Sequence, residues 1–174
     1  MQSRSVRNTA LIFCEGAHDR TFIQFLIAVF APGRGVVSFQ TRQGRGGSAD
    51  GLVLSALKVP GDFNSRLVKL DKDRDVVEIE RAIQIARREG LILNFSVPCL
   101  DAMLLNILNP GTDYSKQSST DCKQEFEKGY IQQSKRTDPS AYRPFFNKGN
   151  LTAARSRISE LNELISFIET GGRM

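Results

Sequence analysis

The chain has 174 residues, 40% hydrophobic and 25% charged, with 24 Lys and Arg against 19 Asp and Glu for a formal charge of +5. That length can bury a substantial core in one unit, and Cys14, Cys99 and Cys122, an odd set without a Cys-x-x-Cys pair, argue against a disulfide framework or a zinc cluster. The basic excess leans towards a polyanionic partner, no apolar run approaches the roughly 18 to 20 residues of a membrane span, and the basic start from Met1 to Asn8 leads to no small-residue cleavage site, so a soluble protein of the reducing cytoplasm is expected.

In chain order, residues 9–15 read as a first strand and 18–31 as a helix, with Phe22, Ile23, Leu26, Ile27 and Phe30 at helical spacing and Pro32-Gly33 as its stop. Val36 to Thr41 is a second strand. It is followed by a glycine-rich loop, Arg42-Gln43-Gly44-Arg45-Gly46-Gly47-Ser48, and a helix from Ala49 to Val59 that buries Leu52, Leu54, Ala56 and Leu57. A third strand spans 66–71. Asp75-Val76-Val77-Glu78 has capping-box spacing and opens a helix over 76–89 that ends at Gly90. Residues 91–96 form a fourth strand, and Pro98 opens a helix that runs to Leu108. Four rounds of strand then helix predict an α/β protein with a mostly parallel four-stranded sheet covered on both faces.

Beyond residue 110 the pattern weakens into a helical C-terminal extension, 111–174, packed on the 1–110 core. A short helix is expected over 121–134 and an irregular aromatic and basic segment over 137–150. One amphipathic helix then carries Leu151, Ala154, Ile158, Leu161, Ile165 and Ile168, before a frayed Gly171-Gly172-Arg173-Met174 tail.

Two strand ends carry the chemistry. Ala10-Leu11-Ile12-Phe13-Cys14 breaks off at Glu15, and Leu67-Val68-Lys69-Leu70 breaks off at Asp71-Lys72-Asp73, as buried parallel strands do when their carboxyl edge lines a polar crevice. Glu15, Asp71 and Asp73 converging on one point would repel one another without a cation, and hard oxygen ligands suit Mg²⁺ or Mn²⁺. Asp75 is expected to serve as a helix cap, and Asp19 lies in a helix first turn. His18, the one histidine, is expected in an exposed loop, and Cys14 as a buried small hydrophobe. Arg42 and Arg45 in the glycine-rich loop are candidate phosphate contacts, although the loop lacks the Gly-Lys-Ser/Thr ending of a Walker A motif. Lys135, Arg136, Tyr142, Arg143, Phe145, Phe146 and Lys148 form either a basic surface with stacking aromatics or an irregular segment that Phe145 and Phe146 anchor to the core.

Glu15-Gly16 and Asp71-Lys72-Asp73, each at a strand end before a helix, resemble the two motifs of the TOPRIM domain found in topoisomerases, DnaG-type primases, OLD nucleases and recombination mediators. Ser96-Val97-Pro98-Cys99-Leu100-Asp101-Ala102-Met103-Leu104-Leu105 resembles the corresponding segment of small RloB-like proteins of bacterial defence loci, with Asp101 in place of their Glu and Leu100 in place of their Phe. The resemblance implies a Rossmann-like TOPRIM core and a Mg²⁺- or Mn²⁺-dependent endonuclease of anti-phage or restriction-associated defence. Glu15 would act as general acid/base or bridging ligand, Asp71 and Asp73 would hold metal, and Asp101 would be a fourth ligand. Gly16, Asp19 and Asp75 would stand behind these, and Arg42, Arg45 and Lys72 would meet nucleic acid. An ATPase or other defence protein, or a second copy, is the further partner implied. A non-catalytic nucleic-acid-binding or regulatory subunit is the alternative, because the fold does not guarantee activity.

Overall fold

Runs of apolar residues bounded by polar ones become four strands, β1 (Asn8–Cys14), β2 (Val37–Gln43), β3 (Ser65–Asp71) and β4 (Ile92–Ser96). They pair entirely in parallel, in the order β2-β1-β3-β4. The computed structural model describes residues 8–33 and 36–173; the basic start before Asn8 and the terminal Met174 lie outside them. The core helices are α1 (Ala17–Phe30), α2 (Ala49–Leu57), α3 (Val76–Glu89) and α4 (Leu100–Leu108). The chain is thus α/β with an all-parallel sheet, as the strand-helix alternation predicts. No helix among the described residues is long and apolar enough to cross a membrane.

The central strands alternate between two cores. Ala10, Ile12, Cys14 and Leu67 face a cluster built with α1, α4 and the C-terminal residues, while Phe13, Val68 and Leu70 face Ala49, Leu52, Val53 and Ala56 of α2 and Ala82 and Ala86 of α3. Period-two alternation puts Lys69, wholly buried, on the same face of β3 as Leu67. In α2 it is Val53 rather than Leu54 that turns inward, and Leu54 stays 40% exposed. β2 runs to Gln43, so Arg42 sits on an edge strand and the loop proper starts at Gly44. Gly44 packs closely there: a Cβ would lie 2.3 Å from Leu52 Cδ2, so the buried leucine would have to shift to admit a larger residue.

Past residue 110 the chain forms α5 (Ser119–Gly129), α6 (Lys148–Arg155) and α7 (Ser159–Glu169), with 3-10 turns between. The single helix expected over 151–168 is therefore two. The apolar spacing carries across the break because Leu151, Ala154, Ile158, Leu161 and Ile165 all reach one cluster. The helix expected over 121–134 begins earlier, at Ser119, capped by the Ser118 hydroxyl accepting from Asp121 N at 3.1 Å. Pro98 lies before α4 rather than within it, following a cis Val97-Pro98 bond, and the helix starts at Leu100.

The expected frayed tail is also corrected. Gly172 N donates to Phe167 O at 2.8 Å, and with φ near +83° the glycine lies so close to β3 that a Cβ would meet Ser65 Oγ at 1.9 Å. The aromatic segment proves to be an anchor: Tyr142 and Phe146 are buried, their rings 5.7 Å from that of Phe22 in α1. Phe146→Ala should therefore destabilise the protein by about 3–5 kcal/mol in denaturant unfolding, whereas a solvent-facing stacking residue would change it by less than about 0.5 kcal/mol.

Candidate active site

Parallel register brings the two acidic strand ends together. Cys14 pairs with Lys69 across the sheet, so Glu15, the next residue, comes beside the end of β3, where its Oε2 accepts from the Asp71 backbone N at 3.2 Å. Asp71 pairs with Ser96, which carries its carboxylate to the start of α4, and Asp71 Oδ1 accepts from Leu100 N at 3.0 Å. Cys99, the residue at the N-cap position, makes no such side-chain bond, so a carboxylate from β3 caps this helix. Glu15, Asp19, Asp71 and Asp101 all line one cavity of about 220 Å³ at the carboxyl edge of the sheet, together with His18, Lys123 and Arg136.

Each acid has a cation against it, and the cations arrive from different layers. Lys69 Nζ stands 3.8 Å from Asp71 Oδ1 and 4.0 Å from Asp19 Oδ1, and donates to Ser96 Oγ at 2.6 Å. Arg74, from the loop after β3, holds Glu15 through Nε to Oε2 at 3.1 Å and a second bond to Oε1. Arg136, from the C-terminal region, is buried against Asp101, with Glu127 Oε1 at 3.5 Å and the ring of Phe126 beneath its guanidinium. None of these three cations stands out in the sequence as a partner of these acids. Arg74 adjoins Asp73 and Asp75, Arg136 follows Lys135 in a segment of mixed charge, and the two arginine pairs span 59 and 35 residues of chain.

The neutralisation is incomplete. Burial pushes the Asp71 carboxyl well above the usual carboxylate range, with Asp19, Glu15 and Asp73 adding repulsion and Lys69 opposing them. Asp19 and Asp101 are also raised, chiefly by burial, against the pull of Lys69 and Arg136 respectively. Asp19 Oδ1 is buried and accepts no hydrogen bond from the described residues. His18 is lowered by burial and by the Arg136 charge, so it is largely neutral at pH 7. It is half-buried in the first turn of α1 rather than in the expected exposed loop.

The remaining sequence-predicted residues fall as follows. Asp73 is exposed and does not line the cavity, although its charge reaches Asp71, whereas Asp101, the expected fourth ligand, and Asp19 line it with Glu15 and Asp71. Asp75 caps α3, accepting from Val77 N at 2.8 Å and Glu78 N at 3.3 Å. Glu78 does not close the capping box; its Oε2 accepts from Ala49 N at 3.2 Å, at the start of α2. Gly16 is the N-cap of α1 in an extended conformation open to any residue. Arg42, Arg45 and Lys72 are exposed and do not line the cavity.

Among the described residues no three His, Cys, Asp or Glu side chains are already arranged as a ligand set for one ion. The donor chemistry nevertheless fits a hard divalent cation: carboxylate oxygens dominate, one of them is buried without a hydrogen bond from the described residues, and the group is under-neutralised. Glu15 and Asp71 are the residues that would hold it.

No family model and no curated protein matches the chain. Among solved structures it is similar to the C-terminal region of the Xanthomonas campestris pv. campestris OLD protein, at 12% identity and a TM-score of 0.47 over 91% of this chain and 96% of that one. It is also similar to the C-terminal region of the Burkholderia pseudomallei OLD protein, at 13% identity and a TM-score of 0.38 over 94% and 90%.

A carboxyl whose folded value is raised contributes stability below its ordinary value of 3.8, and that contribution is lost as pH rises through the raised folded value. Asp71→Asn keeps an acceptor for Leu100 N and removes a charge that burial, and then repulsion from Asp19, Glu15 and Asp73, disfavours. It should therefore raise the melting temperature at pH 8, by an amount equivalent to about 1 kcal/mol, and raise it less or not at all at pH 4.

Proposed function

We propose that the chain is a divalent-metal-dependent endonuclease of TOPRIM type, hydrolysing phosphodiester bonds in DNA or RNA. The observation that carries this is the meeting of Glu15, Asp19, Asp71 and Asp101, from β1, α1, β3 and α4 or their ends, around one cavity at the carboxyl edge of a parallel sheet. A fold that buries this much like charge loses stability unless positive charge enters with it. A bound Mg²⁺ or Mn²⁺ supplies Lewis-acid charge for the displacement at phosphorus.

The chain's own residues supply the rest. Glu15 and Asp71 hold the ion, and Asp19 and Asp101 keep the cavity negative around it. Lys69 fixes the Asp19 and Asp71 carboxylates from below, within 4.0 Å of each. Neutral His18, on the wall of the same cavity, is placed to orient water and accept a proton. Lys123 at the cavity and exposed Lys72 beyond β3 draw in the phosphate backbone. A cytoplasmic role in bacterial anti-phage or restriction-associated defence, with an ATPase or other defence protein as partner or a second copy of the chain, rests on the RloB-like motif at Ser96 to Leu105.

One feature favours a second function, a non-catalytic nucleic-acid-binding or regulatory module: Arg74 and Arg136 already hold Glu15 and Asp101. Chelator separates the two. A nuclease should cut single-stranded DNA, duplex DNA or structured RNA with Mg²⁺ or Mn²⁺ and stop in EDTA, and Glu15→Gln should lower the cutting rate at least about 100-fold in a protein that still folds. A clean preparation that leaves all three substrates intact in both metals, yet binds them equally in EDTA, would establish the module instead.

A further inference from the structure

Arg74 follows the Asp-x-Asp strand end by one residue, where an arginine would ordinarily reach into solvent, yet its side chain is only 16% exposed. It folds back so that one guanidinium meets both oxygens of Glu15, Nε at 3.1 Å from Oε2 and Nη2 on Oε1. This two-pronged contact is the geometry in which arginine competes best for a carboxylate. The third nitrogen is engaged elsewhere: Nη1 donates to the Gly47 carbonyl at 2.6 Å and stands 3.8 Å from Glu78 Oε2. Glu78 is itself fixed by Ala49 N at the start of α2. Arg74 thus has an anchorage on the glycine-rich loop and α3 that does not depend on Glu15.

A cation arriving at Glu15 competes with that guanidinium, because both carboxylate oxygens already carry charge-assisted bonds. Once displaced, Arg74 keeps its contacts to Gly47 and Glu78, which leaves Nε and Nη2 unpaired. Unpaired guanidinium N–H groups beside a metal site match the oxygens of a phosphodiester.

We propose that Arg74 is a built-in counter-ion for the acid site: it occupies Glu15 while no divalent cation is bound, yields that carboxylate to the cation, and then donates its freed N–H groups to a phosphate oxygen of the nucleic acid. The inference rests on the metal-dependent function proposed above and adds a residue that links metal binding to substrate binding. It also explains why two arginine-held acids do not amount to a disabled site. The Glu15 pair is anchored so that it can open, whereas the Arg136–Asp101 pair is 3% exposed on both sides and closed in by Phe126.

Mn²⁺ binding read by electron paramagnetic resonance tests it, with wild type, Arg74→Ala, Arg74→Lys and, as a control for charge removal alone, Arg81→Ala on the exposed face of α3. Arg74→Ala should bind Mn²⁺ roughly tenfold more tightly than wild type. Arg74→Lys, which keeps the charge and loses the fork, should fall between, and Arg81→Ala should stay within about twofold. In Mn²⁺, a phosphorothioate oligonucleotide should bind Arg74→Ala roughly fivefold more weakly than wild type, with partial rescue by Arg74→Lys. A folded Arg74→Ala protein whose Mn²⁺ affinity is unchanged or weaker, or an equal tightening in Arg81→Ala, overturns the counter-ion role while leaving the nuclease function standing if wild type binds Mn²⁺ and cuts. Unchanged oligonucleotide binding overturns the phosphate contact. If neither wild type nor Arg74→Ala binds Mn²⁺, the metal-dependent function falls and the counter-ion role with it.

Discussion

Repulsion among carboxylates gathered at the end of two neighbouring parallel strands is the constraint that the rest of the structure answers. β1 and β3 pair in a register that leaves Glu15 and Asp71 side by side, and α1 and α4 bring Asp19 and Asp101 to the same cavity. Water cannot screen charges this deeply buried, so the fold supplies cations of its own. Lys69 comes from within the sheet, Arg74 from the loop that follows it, and Arg136 from the C-terminal region. The three differ in how firmly they are committed. Lys69 and Arg136 are closed in, while Arg74 sits at the rim with a second set of partners.

The C-terminal region contributes to the site as well as to the core. The aromatic cluster of Phe22, Phe25, Tyr142 and Phe146 locks residues 139–146 against α1, and Tyr142 donates to the Arg136 carbonyl at 3.1 Å. The side chain that balances Asp101 is therefore positioned by apolar packing against the helix that carries His18 and Asp19. Loss of that packing would disturb the charge balance of the cavity as well as stability. Several of the acids also support the backbone, since Asp71 caps α4, Asp75 caps α3 and Glu78 meets the start of α2. For Asp71, capping and cation binding are compatible, because the bond to Leu100 N engages only Oδ1.

Local patterns in the chain determine the strands, α1, α3 and the stop at Gly90, because each depends on spacing and caps within a few residues. Parallel pairing follows from the alternation of strands with helices, and with it the meeting of Glu15 and Asp71. Where the local signal misleads, a distant contact is responsible. Apolar spacing runs unbroken from Leu151 to Ile168 although the helix breaks at residues 156–158, since both halves face the same cluster. Gly171-Gly172 has the composition of a loose tail but is a close-packed cap against Val37 and Ser65. What only the tertiary structure decided is which charges meet: Asp73 stays outside the cavity that Glu15, Asp19, Asp71 and Asp101 line, His18 turns to its wall, and Lys69, Arg74 and Arg136 become the partners of the acids. Charge carries no periodicity that marks a partner, and these pairs are made by strand register and helix packing between segments as much as 59 residues apart.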